Sequence, residues 1–274
     1  MKIQLLGTAA APCWPDLFSE DEYCRKLRQW GGKNLRSRSQ ALVDDIHVID
    51  FGLDSFYHAV KFGVDFSQIM DIFVTHSHED HFEPKQLGFA EEGNFCYNMK
   101  YYPIDLYGNA RMIEMAEPCA RNHAVYHTLH PYDTVITRDG YRWTALPAKH
   151  MIGSEEEALN YIIEHTGKTV LYKTDSASYT DPKLWDFLGQ YKFDLIITEC
   201  TFNFTDKVYP DHETYPSVLK FREKLTDLGT IKAETPFWLT HIHYFEGGLS
   251  HEEAQKICDR DNITIGWDGA VIEL

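Results

Sequence analysis

Short apolar runs alternate with longer segments in which apolar residues recur at helical spacing. A short apolar run bounded by turn residues predicts a strand. Such runs lie at residues 1–7, 40–44, 47–51, 70–74, 104–107, 134–138, 142–146, 159–164, 168–173, 194–198 and 237–240. Helical patterns lie at residues 53–62, within 83–98, at 109–122, after Asp181-Pro182 and at 216–228. Residues 8–39 show neither pattern and are expected to be irregular.

The order of these elements predicts the fold class. Strands precede helices in each half of the chain, so two similar halves are expected to pack sheet against sheet with helices outside. Periodicity alone therefore predicts an α/β or α+β fold. Of the 274 residues, 43% are hydrophobic and 14% aromatic, which is enough for a large core. No second domain or tandem repeat is visible, so residues 1–274 are interpreted as one domain.

The net charge and the cysteines indicate which partners and which cell compartment to expect. The formal net charge of −16 argues against a general nucleic-acid surface, which would need clustered Lys and Arg. Residues 1–7 are too short for an export signal, and no apolar run is long enough to cross a bilayer. The six cysteines include no C-x-x-C pair. These features predict a cytoplasmic protein with reduced thiols and without a membrane or nucleic-acid partner.

Residues 75–81, Thr-His-Ser-His-Glu-Asp-His, directly follow an apolar run. His76, His78 and Asp80 alternate, so at the end of an extended segment their side chains project to one side. His81 adds another candidate ligand as the chain turns. Imidazole and carboxylate groups together suit zinc, iron and manganese. A His-rich turn that binds nothing is the alternative, but a position at a strand end, outside any low-complexity tract, favours a metal site.

The pattern H-x-H-x-D-H after an apolar strand resembles the metallo-β-lactamase superfamily of binuclear hydrolases. Weaker similarity extends from Leu6–Ala9 to Trp267–Glu273. Within the superfamily, the whole chain resembles the subfamily that contains the phosphodiesterase of the carbon–phosphorus lyase pathway. The resemblance implies a four-layer αββα sandwich.

The resemblance also implies two divalent transition-metal ions, with Zn, Mn and Fe left open, and a set of residues that bind them. The expected ligands are His76, His78 and His150 for one ion, Asp80, His81 and His241 for the other, and Asp175 between both. A carboxylate can bridge because each of its oxygens can bind one ion. Taken alone, His150 and Asp175 would mean little, since polar residues are common where strands end.

Two further residues are given roles by the resemblance. Asp50 is expected to orient a ligating imidazole from behind, although a strand-end turn former is the alternative. His212, in the aromatic-rich loop 202–214, resembles the loop histidine that lies near the phosphate and can protonate the leaving alkoxide. An exposed loop histidine without a role is an equal alternative. Asp80 and His212 are the two residues predicted to take part in catalysis.

These features predict a metal-dependent phosphodiesterase that acts on small phosphodiesters through a metal-bridging hydroxide. The ligand set does not separate phosphodiesters from carboxylic esters, lactones or thioesters, so hydrolysis of those compounds is the alternative. A non-catalytic metal-binding protein is disfavoured because the ligand set is complete. Redox use of two irons is disfavoured because such relatives carry Glu where His78 stands and have a flavin domain that this length excludes. The sequence leaves the oligomeric state open, with a homodimer as one option.

The segment after the first strand departs from the subfamily pattern. Relatives often carry a cysteine-rich structural zinc site here, but Ser19 and Asp21 stand where cysteines would be expected. Cys13 and Cys24 are too few for a site that needs four ligands. This zinc site is therefore predicted to be lost. His243 lies in Thr-His-Ile-His rather than the Thr-His-Ile-Ser-His common in the subfamily, and the sequence assigns it no role.

Overall fold

The structure, a computed structural model, describes residues 1–153, 156–243, 245 and 247–274. The strands in chain order are β1 (Lys2–Gly7), β2 (Gln40–Val43), β3 (His47–Ile49), β4 (Asp71–Phe73), β5 (Ile104–Gly108), β6 (Ala124–Thr128), β7 (Thr134–Ile136), β8 (Arg142–Pro147), β9 (Leu159–His165), β10 (Lys168–Lys173), β11 (Leu195–Glu199), β12 (Phe237–Thr240), β13 (Thr264–Ile265) and β14 (Ala270–Glu273). The α-helices are α1 (Glu22–Trp30), α2 (Ser55–Phe62), α3 (Ala110–Ala120), α4 (Pro182–Leu188), α5 (Tyr215–Asp227) and α6 (His251–Cys258).

The strands form two seven-stranded sheets, ordered β14-β1-β2-β3-β4-β5-β6 and β13-β12-β11-β10-β9-β8-β7. An apolar core fills the space between the sheets, where Phe73 of β4 stacks on Trp143 of β8 with ring centroids 3.9 Å apart. A second core lies under α4, α5 and α6, and a third lies under α3. The molecule therefore has helix, sheet, sheet and helix layers, which confirms the expected αββα sandwich.

Strand direction places many loop residues at one edge of this sandwich. Strands β3 to β6 run parallel to one another, and so do β10 to β13. The carboxyl ends of parallel strands in one sheet meet at the same edge, which is where ligands bind in such folds. The loops after β3, β4, β8, β10, β11 and β12 all begin there and carry the candidate site residues.

Two regions differ from what the sequence predicts. Helix α1 lies inside the segment expected to be irregular. It begins at Glu22 and is capped by Asp21, whose side chain accepts a hydrogen bond from the backbone N–H of Cys24 at 2.8 Å. The helix expected within 83–98 is only a short 3₁₀ helix at Pro84–Ala90. That 3₁₀ helix ends at Ala90, because the next residue, Glu91, has extended backbone angles (φ −66°, ψ 107°).

The sheet formed by the first half of the chain also contains a strand from the C-terminal end. Strand β14, at the C-terminal end, pairs antiparallel with β1 and covers what would otherwise be a sheet edge. Strand β6 at the opposite edge and helix α6 were also not predicted. In β14 only alternate residues are buried, which is a weak signal over so few positions.

None of the described helices has the length and hydropathy needed to span a bilayer. All six cysteines are free thiols, and Cys24, Cys200 and Cys258 are buried. The fold is therefore held by packing and hydrogen bonds rather than by disulfides.

Candidate metal centre

Strand ends from both sheets bring seven His and Asp side chains together at one edge of the sandwich. Their ligand atoms form two groups, and within each group these atoms lie within 4.8 Å of one another. The groups are His76, His78, His150 and Asp175, and Asp80, His81, Asp175 and His241. These are the seven residues expected from the sequence, and Asp175 belongs to both groups.

In the second group, atoms that accept hydrogen bonds converge on one point. His81 Nε2 lies 3.3 Å from His241 Nε2. The same two nitrogens lie 3.3 and 3.6 Å from Asp175 Oδ2. Asp80 Oδ2 lies 3.3 Å from His81 Nε2. All four side chains are buried, so water does little to screen the repulsion between these atoms.

The first group is built around His78 Nδ1, which lies 3.0 Å from His76 Nε2 and 3.2 Å from His150 Nε2. Asp175 closes the group, with Oδ2 3.2 Å from His76 Nε2 and Oδ1 3.4 Å from His150 Nδ1. The sequence predicted one carboxylate oxygen for each ion. In the structure Oδ2 faces imidazoles of both groups.

Asp50 fixes the orientation of two of these rings from behind. Its Oδ2 lies 2.6 Å from His81 Nδ1, and its Oδ1 accepts a hydrogen bond from Thr75 Oγ1 at 2.8 Å. The same Thr75 Oγ1 lies 3.1 Å from His76 Nδ1. When each Nδ1 donates its hydrogen to these oxygens, each Nε2 turns a lone pair toward the cluster. This is the supporting position that the sequence suggested for Asp50.

Glu199 performs the same task from the other sheet, and the sequence analysis missed it. Its Oε2 accepts a hydrogen bond from Thr201 Oγ1 at 2.5 Å, and this hydroxyl lies 2.9 Å from His241 Nδ1. Its Oε1 accepts from the backbone N–H of Ser176. An acid at the end of the predicted strand 194–198 was the available signal, but only sheet order shows that this strand lies between β10 and β12.

The donor set fits a divalent transition-metal ion. Imidazole lone pairs and carboxylate oxygens that face one another at these distances repel unless a cation or protons lie between them. Two buried atoms, His150 Nδ1 and Asp175 Oδ1, have no hydrogen-bond partner among the described residues. Such atoms normally find one. Imidazole with carboxylate is a ligand set used for zinc, iron and manganese.

The pKa shifts of His78 and His150 are consistent with metal binding, whereas His81 shifts the other way: burial alone would lower its pKa, but Asp80 and Asp50 outweigh burial and raise it well above its usual range. Burial lowers the pKa of His78, and it lowers the pKa of His150 to about 4, so both rings are neutral at pH 7. Neutral imidazole is the form that binds metals. Burial alone would raise the pKa of Asp80 and Asp175, but the neighbouring histidines outweigh burial and hold both pKa values well below their usual range.

His212 joins the cluster from the loop between β11 and α5. Its Nδ1 lies 3.1 Å from Asp175 Oδ1 and 3.4 Å from Glu199 Oε2, and 17% of its side chain is exposed. Burial alone would lower the pKa of His212, but Glu199 and Asp175 outweigh it and raise this pKa to about 11. Asp211 also lies here, in one group with His150 and His212. The loop histidine therefore lies at the edge of the cluster, where two carboxylates on its Nδ1 side favour the protonated ring.

His243 and the two N-terminal cysteines lie outside the metal groups found among the described residues. His243 Nε2 lies 3.2 Å from Asp16 Oδ1, and Cys24 is buried on α1. The predicted loss of a structural zinc site near Cys13 stays a prediction.

Solved structures share this fold over the full chain. A diphosphatase of the PhnP family aligns with a TM-score of 0.75 and 20% identity, over 100% of this chain and 98% of that chain. Zn²⁺-bound PqqB from Methylobacterium extorquens aligns with a TM-score of 0.73 and 14% identity, over 100% of both chains. The short form of human tRNase Z aligns with a TM-score of 0.64 and 20% identity, over 100% of this chain and 99% of that chain. At these identities the likeness concerns the fold.

The sequence itself matches a known family. No curated protein sequence matches the chain. The Beta-lactamase superfamily domain matches residues 48–242, a span that contains Asp50 and all seven residues of the two groups. Sequence, fold and cluster thus agree, and the chain belongs to the metallo-β-lactamase superfamily of metal-dependent hydrolases.

Proposed function

We propose that the chain is a binuclear phosphodiesterase that hydrolyses small phosphodiesters. The observation that carries the proposal is the position of His212, whose Nδ1 lies 3.1 Å from Asp175 and 3.4 Å from Glu199. A protonated imidazole at the edge of the metal groups can supply the proton that an alkoxide leaving group needs. A protein of the same fold is a diphosphatase, so the fold accommodates reactions at phosphorus.

The metal assignment follows the two groups. We assign one ion to His76, His78 and His150, the other to Asp80, His81 and His241, and Asp175 to both. Bound there, two divalent ions would supply a hydroxide at neutral pH and neutralise charge on the phosphate oxygens. Asp80 has a second task in this proposal, because a carboxylate beside the attacking water can hold it by a hydrogen bond.

The proton path can be assigned to named atoms. Glu199 and Asp175 occupy the Nδ1 side of His212, so Nε2 is the atom left to donate. As the bond between phosphorus and the leaving oxygen breaks, the Nε2 proton passes to that oxygen, and a neutral alcohol departs. The ring then regains a proton from solvent. Glu199 lies outside both ligand sets, so it continues to favour the protonated ring when Asp175 binds cations.

Local charge favours a diester over a monoester. Asp211 lies within one group with His150 and His212, next to the imidazole proposed to protonate the leaving group. A fixed negative charge repels a dianionic phosphomonoester more strongly than a monoanionic diester. Asp211 thus supports selection of the diester.

The test is a screen of metal-reconstituted protein against phosphodiesters, phosphomonoesters, lactones and thioesters, repeated with His212→Ala. We expect unchanged metal content and a loss of turnover of roughly 10²–10⁴-fold for alkyl diesters. The loss should shrink for nitrophenyl diesters, because nitrophenolate departs without a proton. His130→Ala, which removes an exposed histidine from another loop, is the matched control and should change nothing.

Three outcomes would contradict the proposal in different ways. An equal loss for alkyl and nitrophenyl leaving groups would make His212 a phosphate-positioning residue. No loss on any diester would remove it from the reaction. Turnover of lactones or thioesters with no turnover of diesters would favour the carboxylic ester alternative.

A further inference from the structure

A buried ion pair lies beneath the loop that carries His212. Lys173 Nζ lies 2.9 Å from Glu213 Oε1, and the two side chains are 0% and 1% exposed. Removing both charges from water is costly, and a buried pair often stabilises a fold no more than apolar residues of the same size would. Neither residue belongs to the two metal groups. Stability alone therefore gives no reason for this pair.

The pair connects the two chain segments that must meet for the proposed proton transfer. Lys173 ends β10, two residues before Asp175, and Glu213 directly follows His212. His212 and Asp175 meet in the 3.1 Å contact between Nδ1 and Oδ1, which makes no hydrogen bond of good geometry. The ion pair thus fixes the distance between His212 and Asp175, which these two residues do not fix through a good hydrogen bond of their own.

Glu213 is held at every polar atom. Its side chain accepts hydrogen bonds from Ser178 Oγ at 2.8 and 3.0 Å and from Ser217 Oγ. Its backbone N–H donates to Glu199 Oε2 at 3.2 Å, and its carbonyl accepts from the N–H of Phe202 at 3.2 Å. The residue beside His212 therefore has little freedom to move.

Lys173 is held as firmly. Besides Glu213, its ammonium group donates to the backbone carbonyl of Ser176, which is the residue after Asp175. The rings of Tyr179 and Phe221 lie 5.4 and 5.2 Å from Nζ, where an aromatic face attracts a cation. A single ammonium group thus binds the segment of Asp175 and the segment of His212 at once.

We propose that Lys173 and Glu213 are positioning residues that hold His212 at its working distance from Asp175 and the metal groups. This inference rests on the proposed function, because it gives His212 a role that depends on its position. A directional, charge-assisted contact specifies a distance in a way that apolar packing does not. Displacement of a reacting group by about 1 Å can cost roughly 10²-fold in rate.

The experiment replaces both partners at once, as Lys173→Met with Glu213→Met in one chain. A single replacement would leave one buried charge without its partner and risk unfolding, whereas Met in both positions fills similar volume without charge. Glu22→Met with Lys26→Met is the matched control, since it removes an exposed Lys–Glu pair whose atoms lie 2.8 Å apart on α1.

Kinetic measurements distinguish a positioning role of the Lys173–Glu213 pair from a purely structural role. We expect the double variant to keep its metal content and to lose roughly 10-fold or more in turnover of alkyl diesters, with little loss for nitrophenyl diesters. In a His212→Ala background the same double replacement should cause no further loss, because it acts through His212. An equal additional loss in that background, or no loss in either background, would overturn the inference.

Hydrogen exchange decides the inference without reference to activity. Amides of residues 202–214 should exchange about 10-fold faster in the double variant, while those of β9 and the overall melting temperature stay the same. Unchanged exchange in residues 202–214 would overturn the positioning role. If that exchange accelerates but His212→Ala leaves every diester activity intact, the ion pair holds the loop and the proposed acid role has failed by itself.

Discussion

The edge of the sandwich opposite the metal centre carries a buried charge whose effect on stability can be predicted. His47 begins β3 and is fully buried, with Nδ1 2.7 Å from Asp71 Oδ1 on β4 and Nε2 3.1 Å from Asp139 Oδ2 in the turn between β7 and β8. The ring thus joins the two sheets through two carboxylates. Replacement by Gln keeps a polar side chain of similar reach and removes the charge.

The size of the stability loss expected for His47→Gln follows from the pKa of His47. Burial alone would lower this pKa, but the hydrogen bonds to Asp139 and Asp71 outweigh burial and raise it from 6.5 to about 9. At 1.36 kcal/mol for each pKa unit, that shift corresponds to about 3 kcal/mol of stability. Asp139 is 26% exposed, so solvent screening reduces the expected contribution to about 2 kcal/mol.

The way this contribution changes with pH follows from the linkage between protonation of His47 and folding. The folded-state pKa of His47 lies above the unfolded-state value, so its contribution is complete below about pH 6.5 and is lost as the pH rises through about 9. His47→Gln should therefore lower the free energy of unfolding by about 2 kcal/mol at pH 6 and by much less at pH 10.

Urea unfolding of wild type and variant at pH 6, 7.5, 9 and 10 measures this difference. Metal binding affects both proteins alike, because His47 lies outside the metal groups. His127→Gln is the matched control, since its ring contacts Asp105 at 2.7 Å but is 35% exposed and should contribute less than about 1 kcal/mol. A loss for His47→Gln that is equal at every pH would refute the reasoning, because it would mean that the folded protein holds a neutral imidazole.

Further predictions concern the metal site and its surroundings. His78→Ala should reduce metal content from about two ions per chain and abolish hydrolysis without unfolding the protein, and elemental analysis that finds no metal in the reconstituted wild type would contradict the assignment. Gly52→Ala should weaken metal binding, because the added Cβ would lie 2.3 Å from the backbone oxygen of Asp80, whereas at Gly88 the nearest atom is 3.5 Å away and Gly88→Ala serves as the control. Cys24→Ser should keep its melting temperature within a few degrees, and a large drop together with loss of one zinc ion would show that a structural site persists.

Local spacing was enough to predict part of the site. The motif at residues 75–81 places four candidate ligands within one short segment, and alternation after a strand sets their direction whatever the rest of the fold does. His150, Asp175 and His241 could be added only through a family resemblance. Each follows a strand, but nothing local indicates which strands are neighbours.

Tertiary structure decided the residues that support the site. Glu199 became recognisable only because β11 lies between β10 and β12, which brings its carboxylate beside His212 and behind His241. Its local sequence is that of any acid at a strand end. Likewise α1 was not predicted from residues 8–39, because its apolar face is short and its start depends on a side-chain cap.

Lys173 shows most clearly where sequence reasoning stops. The sequence predicted the strand that it ends, and a lysine at a strand end is ordinarily exposed. The structure buries it completely because Glu213, distant in the chain, lies 2.9 Å away in the same interior. Apolar periodicity is a local property, so the sequence by itself predicted most of the strands and the motif. The burial of a charge depends on a partner that only the folded chain brings within reach.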